Sequence, residues 1–348
     1  MRWCAVTLAR AIETGDLTQL PSRRDEDWRW TDLRGLIRVL PPTSPAFEGD
    51  LGAGPFAADE TLTIVNGRGA AAVIVAAGET RTIALRVIAA TEATAHAARL
   101  SVTVGEGARL TLLESHEGRA ARYLTQTDLD ITLAEGASLE RIVLVADDAE
   151  AVTIVDAAVT VAPAAHYAQT VLTSGARRQR IETRVAHPGQ GATVRLDGAY
   201  LLKDQRHADQ TSTVTHGGLN GTTSQLTKGV VDDQARGVFQ GRIVVERGAD
   251  QTDARMGHHA LILSDKAEVD AKPELLIFAD DVQCAHGNTV GALDENALFY
   301  AQQRGMPYET ARALLTQAFV GEVVDRIEHE GARAVAAAWV AEQLGRAE

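Results

Sequence analysis

The sequence predicts a mainly β protein built as a parallel β-solenoid, with helical regions before and after it. Two observations carry this prediction. From about residue 61 to residue 286, short Val, Ile, Leu and Thr runs alternate with Gly, Ala, Asp and Asn, and no convincing amphipathic helix interrupts them. From residue 308 to residue 346 the apolar pattern changes to helical spacing.

A weak internal repeat distinguishes a solenoid from other β folds. Small residues lie between strand-like runs at Gly107, Gly136, Ala164 and Gly191, with spacings of 29, 28 and 27 residues. A drifting period of this length, with a small residue at each turn, is typical of solenoid coils. A sandwich of hairpins would place turn signals every ~8–12 residues, and some subdivision of that kind is visible. We therefore prefer the solenoid and keep the β-sandwich as the alternative.

The N-terminal region, residues 1–60, is predicted to be helical or irregular. Residues 4–14 suit a short helix that stops at Gly15. A charged segment follows, in which Trp28 and Trp30 are expected to anchor the chain to a surface. Residues 41–60 are rich in Pro, Gly and small residues, which predicts a loop or linker.

The predicted β core, residues 61–291, and a C-terminal helical subdomain, residues 292–348, meet at the segment 273–305. An apolar run ending at Phe278 predicts a strand, and Asp294 is a suitable N-cap for the helix that follows. Pro307 is suitably placed to begin the next helix. Its apolar stripe, expected to serve its own core or a partner groove, comprises Ala311, Leu314, Leu315, Ala318, Phe319, Val323 and Ile327. Gly331 is predicted to separate a final segment that docks on this helix.

Composition excludes several classes of function. The formal net charge of -13 argues against nucleic acid or an anionic membrane as the main partner. The only cysteines, Cys4 and Cys284, suggest no disulfide framework and fit a reducing cytoplasm. We find neither a signal peptide nor a run of the ~18 apolar residues that a membrane helix needs. The expected location is the cytoplasm.

Cys284 and His286 are the best candidates for a functional site. They lie two residues apart, so in an extended strand both side chains leave the same face. A thiolate and an imidazole form a soft donor pair suited to iron, zinc or a persulfide. Two donors are half of a four-ligand site, so we expect another subunit to supply the further ligands. A buried cysteine beside a hydrogen-bonded histidine is the structural alternative.

We expect the other polar clusters to have structural roles rather than catalytic or metal-binding ones. His258 and His259 are adjacent, so on a strand they face opposite sides and cannot easily share a metal. His207, Asp209 and His216 lie in a polar stretch that suits a ladder of stacked solenoid side chains. No P-loop, HExxH, CxxC or GxSxG motif is present, which disfavours the corresponding enzyme classes.

Three segments resemble the SufB/SufD family of the SUF iron-sulfur cluster assembly machinery, and within it the SufD members. They are residues 272–306, residues 23–36 and residues 207–245. The segment 273–305 carries His286-Gly287-Asn288 where SufB members tend to have His-Glu-Ala-Thr, and no cysteine lies between Cys4 and Cys284. Both features favour SufD over SufB. The family often has Ala at the position of Asn288, and it tends to carry asparagines where His258 and His259 stand.

This resemblance implies a right-handed parallel β-helix that pairs with SufB through the β-helix ends and binds the ATPase SufC through its C-terminal helices. It implies a scaffold with no catalysis of its own and no cofactor bound by the isolated chain, handling a transient iron-sulfur cluster or iron in the complex. His286, with Cys284 nearby, would lie at the SufB interface and share any metal with the partner. Phe299, Tyr300 and Phe319 are expected to organise the ATPase-docking helices. Without SufB, the uncapped end would favour a homodimer.

A second hypothesis comes from a different class of protein, the β-helix enzymes that act on polysaccharides. The acidic pairs at 232–233 and 280–281 would supply carboxylates for such chemistry. Only 4% of the residues are aromatic, which leaves little surface for sugar stacking. The SUF hypothesis is therefore preferred.

Overall fold

The computed structural model describes residues 7–187 and 190–345. Helix α1 (Leu8–Thr14) and two 3-10 turns (Leu17–Gln19 and Glu26–Trp28) come first, and α2 (Glu295–Gln303), α3 (Tyr308–Val324) and α4 (Glu330–Gln343) end the chain. Between them, the described residues form eighteen strands: β1 (Glu60–Val65), β2 (Arg68–Gly69), β3 (Ala72–Val75), β4 (Thr80–Ala89), β5 (Ala95–Val104), β6 (Arg109–Gly118), β7 (Leu124–Leu133), β8 (Ser138–Ala146), β9 (Val152–Val161), β10 (His166–Thr173), β11 (Arg178–His187), β12 (Thr193–Leu202), β13 (His207–His216), β14 (Thr222–Val231), β15 (Arg236–Val245), β16 (Thr252–Ile262), β17 (Glu268–Ile277) and β18 (Val282–Gly291).

The strands form two facing sheets that share the coils of a solenoid. One sheet has ten strands in the order β18-β16-β14-β12-β10-β8-β6-β4-β1-β2, and the other has eight in the order β17-β15-β13-β11-β9-β7-β5-β3. Neighbouring strands are parallel, apart from the antiparallel pair of β1 and β2. The chain thus alternates between sheets as it advances, which confirms the predicted parallel β-solenoid and excludes the sandwich of hairpins.

The repeat seen in the sequence is the coil period. Strand registers join Arg109 to Ser138, Ser138 to His166, and His166 to Thr193, which are the same 29-, 28- and 27-residue steps. Gly107, Gly136, Ala164 and Gly191 all have left-handed backbone, with φ between 54° and 68°. Each donates its N–H to a carbonyl of the next coil at 2.9–3.0 Å. Glycine suits this conformation because it lacks a Cβ, so the turns explain the spacing of the small residues.

Alternate residues of both sheets point into the solenoid. Most of these inward-facing side chains are aliphatic. Two neighbouring coils nevertheless bury a charged pair between them. Arg141 donates from Nε to Glu114 at 2.7 Å and from Nη1 to Gln169 at 2.8 Å, and both charged side chains are fully buried. Buried charges are tolerated when they are paired and hydrogen-bonded.

The C-terminal helices pack on the outer face of the ten-stranded sheet. Their buried residues, which face apolar side chains of β4 to β14, are Val320, Val323, Val324, Ile327, Ala332, Ala336, Trp339 and Val340. Phe319, Val323 and Ile327 of the predicted stripe therefore pack on the solenoid, where the sequence had suggested a separate helical core or a partner groove. Leu314 and Ala318 of that stripe are exposed, and Val320 and Val324 take their place on the packed face. Gly331 lies in the first turn of α4, so the predicted separation falls earlier, around residues 325–329.

The N-terminal segment packs on the outer face of the eight-stranded sheet. Leu8, Trp28 and Leu33 contact apolar side chains of β5, β7 and β9. The Arg180 guanidinium lies 4.5 Å from the centroid of the Trp28 ring, which confirms Trp28 as an anchor. Helix α1 ends at Gly15 as predicted; residues 4–6, including Cys4, lie outside the described residues. Residues 41–59 form the predicted loop, with one isolated bridge at Thr43.

Candidate functional site

The candidate site lies on the last coil, formed by β17 and β18, at the C-terminal end of both sheets. In register with β16, Cys284 pairs with Ala254, His286 with Met256, and Asn288 with His258. All three β16 residues are buried in the solenoid interior. Cys284, His286 and Asn288 therefore continue the interior face onto an end that no later strand covers within the described chain. We call this end, made of β17, β18 and residues 278–281, the open end.

Cys284 is half-buried and belongs to the apolar floor of the open end. It packs with Leu275, Ala279 and Val282 against a buried cluster that includes Phe239 and Met256. Burial raises the pKa of the Cys284 thiol above its ordinary value, and the charge of Asp253 adds to this effect. The thiol is therefore protonated at neutral pH in the isolated chain. A metal or a cation delivered to the open end would be needed to stabilise its thiolate.

His286 leaves the same face of β18, two residues further along, and is exposed. Within the described chain no cluster of three or more His, Cys, Asp or Glu residues could hold a metal ion. The structure thus brings Cys284 and His286 to the same face of one exposed end, as the sequence predicted. Whether Cys284 and His286 share a metal with a partner stays a prediction.

His258 supports this end from below. It is fully buried, and its ring stacks on Phe239 with centroids 4.6 Å apart. Burial lowers the pKa of His258 to about 4, so the ring is neutral. In the tautomer that satisfies both neighbours, Nδ1 donates to Asn288 Oδ1 at 2.7 Å and Nε2 accepts from the Tyr200 hydroxyl at 2.8 Å. His258 therefore links the solenoid interior to the exposed strand.

The link between His258 and Asn288 was not anticipated from the sequence. The two residues are 30 positions apart, one coil, so the coil period would have placed them side by side. His259 faces outward, and its Nδ1 lies 2.7 Å from Thr289 Oγ1. The adjacent histidines thus take opposite faces and structural contacts, in agreement with the preferred interpretation.

The polar stretch on β13 is also structural. Asp209 is fully buried, and it accepts hydrogen bonds from Thr31 at 2.5 Å and from Arg180 at 2.8 Å. His207 Nε2 lies 3.1 Å from the carbonyl oxygen of Trp30. These contacts fasten the N-terminal segment to the solenoid. His216 is buried separately, 2.9 Å from Thr223.

The three aromatic residues expected in ATPase docking fall into two groups. Phe299 and Tyr300 on α2 are 63% and 60% exposed. Phe319 on α3 is half-buried where the helices meet the sheet, with Lys228 Nζ 4.3 Å from its ring centroid. Phe299 and Tyr300 are available to a partner, whereas Phe319 supports the helix from beneath.

The fold and the site define a β-solenoid protein whose candidate metal donors lie on an unpaired end. A family model described as "SUF system FeS cluster assembly, SufBD core domain" matches residues 87–319, about two thirds of the chain. The chain therefore belongs to the SufB/SufD family of iron-sulfur cluster assembly proteins. The family match also disfavours the polysaccharide-enzyme hypothesis.

Individual relatives agree with this family. The chain is 30% identical over 248 residues to the iron-sulfur cluster assembly protein SufD of Escherichia coli, covering 71% of this chain and 58% of that protein. It is 30% identical over 238 residues to a SufBD family protein of Synechocystis, covering 66% and 52%. A SufBD family protein of Mycobacterium leprae is 26% identical over 346 residues, covering 90% and 87%. The chain spans about half the length of the first two relatives.

Among the helices of the described chain, none combines the length and the apolar character needed to cross a membrane.

Proposed function

We propose that this chain is the SufD-type scaffold subunit of a cytoplasmic SUF assembly complex. In this proposal the open end pairs with SufB, the helical region binds the ATPase SufC, and a nascent iron-sulfur cluster or iron is handled as cargo between the two solenoids. The observation that carries the proposal is the open end itself, where an unpaired edge coincides with a soft but incomplete donor set.

The edge supports pairing with another solenoid. β17 and β18 are both ten residues long, and their outer edges carry backbone groups that a further strand can satisfy. Exposed apolar side chains at Leu276, Ile277, Phe278 and Val290 surround this edge. A second parallel β-solenoid would bury these side chains and continue both sheets. Without SufB, a second copy of this chain is the expected occupant.

The donor set supports a shared site. Cys284 and His286 offer one sulfur and one nitrogen, and a tetrahedral iron or zinc site takes four ligands. SufB would supply the remaining ligands across the joined ends. His258 would hold β18 in position through Asn288, and would not itself be a ligand, because both of its ring nitrogens are engaged.

The helical region supports binding of a second kind of partner. α2 presents Phe299 and Tyr300 outward, and the neighbouring α3 presents Tyr308 and Leu314, which are 48% and 42% exposed. The opposite side of α3 is fixed to the ten-stranded sheet. ATP-driven movement of the bound SufC subunits would therefore be transmitted to the solenoid and to its open end.

Co-expression with SufB and SufC tests the proposed assembly. We expect one SufB, two SufC and one copy of this chain to co-purify, with the mass measured by chromatography and light scattering. Recovery of this chain as a lone monomer, with both partners expressed and soluble, would contradict the proposal.

His286→Ala tests the proposed site. We expect the variant to assemble with its partners and to yield fewer clusters on reconstitution, because the shared site loses a nitrogen donor. Cluster formation is followed by visible absorbance and by iron and sulfide content. His259→Ala is the matched control, since it removes a histidine from the outward face of the adjacent strand. Equal cluster yields from wild type and His286→Ala would remove His286 from the mechanism.

A further inference from the structure

A cleft on the N-terminal segment is lined by an unusual set of charges. Two adjoining cavities of about 310 Å³ and 410 Å³ share Arg23, Asp32, Gly35 and Arg38. The charged side chains that line them are five arginines and one carboxylate: Arg23, Arg24, Arg34, Arg38, Arg178 and Asp32. We call this surface the arginine cleft. Its position on the segment 22–38 and the start of β11 separates it from the open end in sequence and in the fold.

The cleft contrasts with the rest of an acidic protein, whose net charge is -13. Elsewhere many arginines are matched to carboxylates, as in the pairs of Arg86 with Glu117 and Arg180 with Asp209. Within the described chain, Arg23, Arg24 and Arg38 have no such partner.

Arg34, the fourth cleft arginine on this segment, is fixed in place. Arg34 donates from Nε to the carbonyl oxygen of Leu20 at 3.0 Å, and from Nη2 to that of Thr18. The carboxylate of Asp32 is committed to a turn, because its Oδ1 accepts the N–H of Gly35 at 2.7 Å. Local groups thus order part of the cleft without neutralising it.

Arg178 has a hydrogen-bond donor that the described part of the protein leaves unsatisfied. Its side chain is half-buried, and its Nε–H is inaccessible to water and has no hydrogen-bond partner among the described residues. Burial lowers the pKa of Arg178, and the charges of Arg236 and Arg177 lower it further, with only Asp32 acting in the opposite direction. A buried N–H donor without an acceptor is rare in folded proteins and destabilising.

We propose that the arginine cleft binds a phosphate-bearing small molecule, with Arg23, Arg38 and Arg178 contacting its phosphate oxygens. The guanidinium group recognises phosphate in bidentate geometry. The cavities also match the size of small-molecule sites, roughly 300–1,000 Å³. Five guanidinium groups against one carboxylate call for a ligand with several negative charges in a small volume. A diphosphate group meets that requirement better than a single carboxylate.

Calorimetric titration of the isolated full chain with sodium pyrophosphate tests this proposal, at about 0.15 M salt so that diffuse charge attraction is screened. We expect saturable binding at one site. Arg38→Gln and Arg178→Gln should each weaken it by about tenfold, because each removes charge-assisted hydrogen bonds. A parallel titration with adenosine diphosphate identifies the source of the phosphate: tighter binding indicates a nucleotide, and equal binding indicates that the diphosphate group alone is recognised.

Arg255→Gln is the matched control. Arg255 is an exposed arginine on the other sheet, where it pairs with Asp253 at 3.1 Å, so its loss changes the net charge equally. Pyrophosphate binding should survive this change. Absence of binding at about 1 mM pyrophosphate, or equal weakening in Arg255→Gln, would overturn the proposal. Because neither SufB nor SufC is present, the result is independent of the proposed scaffold function.

Discussion

At the N-terminal end of the solenoid, which we call the covered end, the edge strands are short and β2 pairs along β1, whereas at the C-terminal end the edge strands are long and their outer edges are unpaired among the described residues. The ten-stranded sheet begins with the two-residue strand β2, which folds back on β1 through a turn at Asn66 and Gly67, both with positive φ. The eight-stranded sheet begins with β3, only four residues long. The other end finishes with two ten-residue strands, β17 and β18.

Under the proposed function, this difference predicts which end pairs with another chain. Short edge strands and tight hairpins offer little backbone for another chain to pair with. A long edge surrounded by apolar side chains offers both hydrogen bonds and buried area. The interior and the open end differ in the same way. Glu114 and Arg141 neutralise each other within the solenoid, while Cys284 and His286 lie on the open end and belong to no cluster of three or more metal donors among the described residues.

Arg141→Leu should have the largest effect on the free energy of unfolding and should confirm that water is excluded from the interior. Burial raises the pKa of Glu114, but the Arg141 guanidinium and the hydrogen bond to His116 together hold it at about 2. The substitution removes the guanidinium. Removing one partner of a buried ion pair destabilises a protein by about 3–5 kcal/mol. The free energy of unfolding is measured by urea denaturation.

Two further variants complete this comparison. Arg141→Leu combined with Glu114→Leu should recover part of the loss, since no charge then lacks a partner. His286→Ala at the open end should change stability by less than about 0.5 kcal/mol, as is usual for exposed positions. A loss of under ~1 kcal/mol for Arg141→Leu would show that water reaches this part of the interior.

The free energy of unfolding should also depend on pH, by a similar amount, because of the buried histidines. His187 and His216 are fully buried, with ring centroids 3.9 Å apart. Burial lowers the pKa of His187 to about 4 and, together with the neighbouring imidazole, that of His216 to about 3. The unfolded chain therefore takes up these protons near pH 6.5, before the folded chain does. Their contribution to stability is complete above that pH and is lost as the pH falls toward 4.

His187→Leu isolates this effect. From the lowered pKa we expect His187 to account for roughly 3 kcal/mol of the stability lost between pH 7 and pH 4. The variant should therefore show a shallower decline than wild type in urea unfolding at pH 7, 6, 5 and 4. Subtracting the two curves removes the contributions of Asp156 and Asp197, whose pKa values are raised by burial to about 6 and act in the opposite direction. Parallel curves would show that His187 is protonated in the folded chain.

Much of the fold was predictable because a small residue recurs at a turn once in each coil, so the coil period is visible in the sequence. Gly107, Gly136 and Gly191 mark positions where the backbone requires positive φ, and their spacing is a property of the chain alone. The orientation of Cys284 and His286 followed from strand alternation, and the start of α2 from the N-cap Asp294, whose side chain accepts the N–H of Asn296 at 2.9 Å.

The rest depended on contacts between distant parts of the chain. The apolar stripe of α3 is compatible with several surfaces, and only tertiary packing decides that it covers the ten-stranded sheet. Likewise, one strand segment carries both the half-buried Cys284 and the exposed His286, and their burial depends on what β16 and β15 present beneath them. The arginine cleft joins residues 22–38 to Arg178, a proximity that no local pattern encodes.

Phe278→Asp tests the contrast between the two ends directly. Phe278 follows β17 at the open end, its side chain is 59% exposed, and its N–H is bonded to the carbonyl oxygen of Val245 at 2.8 Å. We expect the variant to fold normally and to lose at least about 2 kcal/mol of SufB affinity, about 30-fold, because a carboxylate replaces an aromatic anchor in the proposed interface. Biolayer interferometry with purified SufB measures this affinity.

Ile74→Asp is the matched substitution at the covered end. Ile74 lies on β3, is 67% exposed, and becomes the same carboxylate, so it controls for net charge and for general loss of apolar surface. If the covered end is excluded from pairing, Ile74→Asp binds SufB as wild type does. Equal loss of affinity in the two variants would mean that exposed apolar area alone drives association. Loss in Ile74→Asp but not in Phe278→Asp would assign pairing to the covered end. Only selective loss in Phe278→Asp agrees with an edge that is left unpaired for a partner.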